Sequence, residues 1–150
     1  MLIKTHLAVG VLLLLVFLPH SMYKLIFIPV ILIASILPDI DTGFSTIGKH
    51  GVFRILQWFT KHRGIIHSFS LCIAISILFG IFYPPAAFPF FLGYGIHLLM
   101  DSFTVEGIRP FWPLNDGLNG KITTGGNMEY LLFVVFVIID LILFIGWFVK

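Results

Sequence analysis

The chain has 150 residues, of which 59% are hydrophobic and 11% charged, with a mean hydropathy of +1.07 and a formal net charge of +2. An ordinary soluble domain is about 45–50% apolar and about 25% charged, so these proportions exclude a soluble fold in favour of an integral membrane protein. The small net charge argues against nucleic acid as a partner, and a lone Cys72 excludes a disulfide framework or a thiolate zinc site.

The first apolar run covers residues 7–18 and stops at Pro19. With Lys4 ahead of it the run resembles a signal peptide, but no small-residue cleavage pattern follows, so a retained first span is expected. The second run, 25–37, ends at Pro38, which pushes its predecessor out of the α region and predicts a helix end near Ile36. A polar stretch, 39–64, follows. Within it residues 52–59 mix apolar side chains with Arg54, Gln57 and Trp58, the pattern of a short interfacial helix. A third span is predicted over 65–83, about 28 Å of helix. Pro84-Pro85 then turns the chain into a fourth span over 86–103. Residues 104–127, rich in Gly and Asn, predict an irregular loop, and a last span over 128–149 carries Asp140 as its mid-span charge. The expected fold is all-α: one integral membrane helical bundle of about five spans, with a short interfacial helix and one irregular loop.

Charge placement orients that layout. Five spans put Lys4, Lys49, Arg54, Lys61, Arg63, Arg109 and Lys121 on one side, and Lys24 and Lys150 on the other. The positive-inside rule assigns the richer side, with the N-terminus and both long loops, to the cytoplasm.

The metal-capable residues fall on that same side. His97 and Asp101 form a His-x3-Asp pair, whose side chains lie one turn apart on one helix face and can share an ion. An acid near a helix C-terminus opposes the dipole, a penalty that a bound cation removes. Asp39 and Asp41 are two like charges just after a helix stop, relieved by a divalent ion or an arginine, or else simple turn caps. His62 and His67 would diverge by about 140° on one helix, but Gly64 permits a bend that lets both face one centre, with His67 in the first turn of the third span. Arg63 suits an anionic ligand such as phosphate, or a lipid-headgroup anchor. His6 and Glu129 are single polar residues at span ends and weaker candidates. His20 maps to the far side and His50 to a Gly-Lys-His-Gly stretch. Imidazole with carboxylate suits zinc first, and manganese or iron also, and the number of candidates allows one or two ions.

These segments resemble the YdjM family of membrane-bound, metal-dependent hydrolases. The likeness rests on Leu37-Pro38-Asp39-Ile40-Asp41, His62-Arg63-Gly64-Ile65-Ile66-His67-Ser68, the run from His97 to Thr104, and Gly107-Ile108-Arg109-Pro110-Phe111-Trp112-Pro113. The resemblance implies a hydrolase of the cell inner membrane. The expected activity is hydrolysis of a lipid-borne ester, a phosphoester first, at the cytoplasmic surface. Asp39, His67, His97 and Asp101 are the first-choice ligands and His62 and Asp41 the next. Asp41 is the general base if it is not a ligand, and Arg63 and Arg109 steady an anionic headgroup. The alternatives are a non-catalytic membrane metal-binding or metal-transport protein, which would need polar groups continuing across the bilayer, and a lipid oxygenase, for which the histidines are few. Oligomeric state is not legible.

Overall fold

The computed structural model describes residues 1–41, 64–114 and 116–149, with the side chains of Ile40, Asp41 and Phe148 outside the description. Among the described residues the chain is all-helical, with no strand. Five α-helices follow in order: α1 Ile3–Phe17, α2 Lys24–Ala34, α3 Phe69–Phe82, α4 Pro84–Ser102 and α5 Asn127–Phe148. The interfacial helix expected over 52–59 lies outside the described residues.

Among the described residues two segments, Ile3–His20 and Asn127–Trp147, are long and apolar enough to cross a membrane. α5 turns Leu131, Val135, Ile138, Ile142 and Ile145 outward, as a helix facing hydrocarbon does and one facing water does not. α1 and α4 start a few residues before the expected spans, and α5 matches its own closely.

Two expectations need correction. α2 ends at Ala34 rather than Ile36, because the chain tightens early: Ile36 N–H donates to Ile33 O at 3.1 Å, and Leu37–Asp41 forms a 3-10 turn. α3 starts at Phe69, four residues later than predicted. Ser68 has extended dihedrals and its Oγ accepts from Leu71 N–H at 3.3 Å, so it caps the helix. His67 therefore sits in a separate 3-10 turn, Ile65–His67, and not in the first turn of the helix.

α4 is the central element, packed on α2 and α3, while α1 packs on α5. Two glycines bring the backbones close. A Cβ on Gly93 would stand 2.4 Å from Ile31 O, and one on Gly10 would stand 2.7 Å from Ser35 Oγ. Small residues let apolar helices approach this closely, and here they press α1 and α4 onto the end of α2. Ala34, Cys72, Phe90, Tyr94, Leu98 and Ile108 fill the core beside that crossing. Cys72 is a buried packing residue.

The 103–126 loop is irregular but anchored, with isolated bridges pairing Thr104 with Ile122 and Ile108 with Leu118. Gly107, at φ +62, takes a turn that a side chain would strain. Pro110 O accepts from Phe69 N–H at 2.8 Å, which ties this loop to the start of α3.

The topology predicted from charge has a direct check. Reporter fusions near Lys49 and Gly120 are expected to read as cytoplasmic, and a fusion at Lys150 as external. If Lys49 and Gly120 report opposite sides, the two loops cannot serve one site.

Candidate metal centre

Four elements deliver five side chains to one end of the bundle. His6 comes from α1, Asp39 from the turn after α2, His67 from the turn before α3, and His97 and Asp101 from α4. His67, His97 and Asp101 are 0% exposed, His6 1% and Asp39 6%. Burying so many ionisable groups together is costly unless something of opposite charge or a hydrogen-bond network compensates.

The local fold fixes each donor. Tyr94, buried on α4, donates its hydroxyl to Ile66 O at 2.5 Å and so pins the turn that carries His67. His97 Nδ1 lies 2.8 Å from Ser35 O, an acceptor only, so Nδ1 carries the proton and Nε2 presents a lone pair to the cluster. That lone pair faces Asp101 Oδ2 at 3.7 Å and Asp39 Oδ1 at 3.8 Å. His67 Nε2 is 3.6 Å from Asp101 Oδ2, and His6 Nε2 is 3.3 Å from Asp101 Oδ1, which the Met1 amine also contacts. Burial pushes the Asp39 carboxyl above its ordinary range, with His6 pulling it back.

These separations are mostly too long for hydrogen bonds. They match the edges of a coordination sphere, since tetrahedral donors ~2.0–2.2 Å from an ion stand about 3.3–3.6 Å from one another. Two groups of donors, His6 with Asp39 and His97, and His67 with His97 and Asp101, each lie within 4.8 Å. Among the described residues neither nitrogen of His6 nor His97 Nε2 has a hydrogen-bond partner. The residues present therefore fit a divalent cation, and the Ser35 carbonyl, which fixes the His97 ring, would orient that imidazole toward it.

Glu129, expected among the ligands, falls in neither group. Its Oε1 accepts from Leu2 N–H at 2.6 Å and Thr5 Oγ1–H at 2.8 Å, and its Oε2 from Gly125 N–H at 2.6 Å. It ties the start of α1 to the start of α5 and so holds His6 in place. Glu129→Ala would strand these donors in a buried site at about 1–3 kcal/mol each. A loss of roughly 3 kcal/mol or more is expected in a denaturant or thermal unfolding measurement in detergent.

The Asp41 side chain, His62, Arg63 and His50 lie outside the described residues. Arg109 is exposed on the loop tied to α3, beside a cavity of about 330 Å³ that Glu106 and Asn119 also line. His20 lies at the far end of the bundle, against a larger cavity with Phe17, Tyr23 and Phe88. Asp140 has one buried oxygen without a hydrogen-bond partner among the described residues. Sequence reasoning missed Ser35 and Thr5. Ser35 acts through its backbone carbonyl, which leaves no trace in residue type, whereas Thr5 stands beside His6, two residues after the start of α1.

Curated relatives carry the same pattern of membrane residence. The chain is 32% identical over 100 residues to an inner membrane protein YdjM of Escherichia coli K12 and to another of Shigella flexneri. Each match covers 57% of this chain and 48% of the relative, so the aligned region spans about half the length of these proteins. No solved structure matches. The family model for the YdjM inner membrane protein matches residues 1–149, and the chain belongs to that family.

Proposed function

We propose that the chain is a multi-pass inner membrane protein with about five crossings and a cytoplasmic N-terminus, and that it hydrolyses a lipid-borne ester, a phosphoester first. An 11-residue helix spans only about 16 Å, so α2 would cross together with its flanking turns or by thinning the bilayer locally. The observation that carries the metal-dependent reading is His97: its Nδ1 is committed to Ser35 O, and its Nε2 lone pair faces two carboxylates. Lone pair against carboxylate is repulsive unless a cation lies between them.

His6, Asp39, His67, His97 and Asp101 would hold the metal, zinc first, with manganese or iron also suited to this donor set. His62 and Asp41 are reserve ligands by their places in the chain. A divalent ion supplies Lewis acidity, acidifying water and polarising a phosphoryl or acyl oxygen. The chain's own residues do the rest. Asp41, two residues beyond Asp39, is the base that takes the water's proton if it is not a ligand. Arg63, next to the Gly64 that begins the His67 turn, and Arg109, on the loop tied to α3, orient the anionic headgroup. Closure of the site against solvent strengthens each of these electrostatic contacts.

Lipid mass spectrometry after overexpression tests this reading. Wild type is expected to deplete one phosphoester or ester class and raise its hydrolysis product, and Asp101→Asn at equal expression is expected to do neither. Identical lipid profiles would favour a non-catalytic metal-binding or metal-transport protein.

A further inference from the structure

We infer that the centre is built for two ions, one held by His67 and His97 and the other by His6, with Asp101 bridging them. The inference rests on the metal-dependent reading above and adds the number and partition of the ions. It comes from the ring geometry. An imidazole lone pair lies in the plane of its ring. His6 and His97 are stacked, with centroids 3.8 Å apart and planes 13° from parallel. An ion in the plane of one ring therefore lies about a stacking distance out of the plane of the other, and the two lone pairs cannot meet at one point.

His67 and His97 behave differently. Their centroids are 5.5 Å apart and their planes cross at 65°, so their in-plane lone pairs can converge. His97 has only Nε2 to offer, since Nδ1 is held by Ser35 O, and one lone pair serves one ion. His97 thus belongs with His67, and His6 is left to a second position.

Asp101 divides its oxygens along the same line. Oδ2 faces His67 at 3.6 Å and His97 at 3.7 Å, while Oδ1 faces His6 at 3.3 Å. The Met1 amine also lies against Oδ1, so a second ion would have to displace it from that oxygen. Asp39 faces His97 Nε2 at 3.8 Å and lies within 4.8 Å of a His6 nitrogen, near enough to both to complete the second position. Carboxylate-bridged ions stand about 3.5–4 Å apart in two-metal sites, the same interval as the stacked rings. Such a pair clamps both the attacking and the leaving oxygen of a phosphoester, which favours that substrate class over a simple carboxylic ester.

The experiment is Mn(II) loading of the purified full chain in detergent, read by elemental analysis and electron paramagnetic resonance. Saturated wild type is expected to hold two ions per chain with the spectrum of an exchange-coupled pair. His6→Ala and His67→Ala are each expected to halve the content and leave an uncoupled ion, with His6→Asn as a shape-preserving variant should the alanine form fail to fold. One uncoupled ion per wild-type chain at saturation would overturn the two-ion partition and keep the metal centre. No bound ion would overturn the metal reading on which the partition rests.

Discussion

His97→Ala and Asp101→Ala are each expected to weaken divalent-metal binding by more than about 100-fold. Removing an outer-shell partner of a metal ligand typically costs about 10–100-fold in affinity, and removing the ligand itself costs more. Both residues are fully buried, and each faces at least two other donors, so no neighbour can fill in. His20→Ala, at the far end of the bundle, is expected to leave binding unchanged, as is His50→Ala. Equal loss from all four variants would report general misfolding, and no loss from any would refute the site.

Arg63→Lys is expected to keep the metal and the fold yet lower turnover roughly 10- to 100-fold, the scale of one or two charge-assisted hydrogen bonds. The cation survives in this variant, but the planar fork that grips two phosphate oxygens does not. An arginine that merely anchors the chain to headgroups tolerates lysine, because charge near the surface is all that role requires. The comparison is turnover of extracted membrane lipids at matched metal content. Equal turnover would remove Arg63 from the substrate site.

The site was legible in sequence to the extent that helix periodicity and side assignment could carry it. The four-residue spacing of His97 and Asp101 dictates a shared helix face, and the structure sets their donors 3.7 Å apart. Counting spans put Asp39 and His67 at the same end as His97, and they lie beside it, although each sits in a 3-10 turn, Asp39 instead of an extended segment and His67 instead of the first turn of a helix. Such turns depend on local hydrogen bonds, here Ser68 capping α3 and Ile36 closing onto Ile33, which compete on nearly equal terms with a further helical turn. His6 and Glu129, equal in the sequence, part company in the structure for a different reason. At the sequence level both are lone polar residues at span ends, and only the packing of α1 between α4 and α5 puts His6 on the His97 ring and Glu129 on backbone donors. The Ser35 carbonyl was beyond reach, because any residue supplies one, and its position is set by the close approach at Gly10 and Gly93.

Metal-dependent turnover is the most direct test of the proposed activity. Purified chain would be stripped with a chelator, mixed with phospholipid and detergent, and assayed for released headgroup or acyl product before and after zinc or manganese is restored. Metal-dependent hydrolysis is expected, absent in the stripped protein, recovered on addition of the ion, and not recovered by Asp101→Asn. Full turnover by the stripped protein, or none by the metal-loaded protein on any lipid class, would contradict a metal-dependent lipid hydrolase.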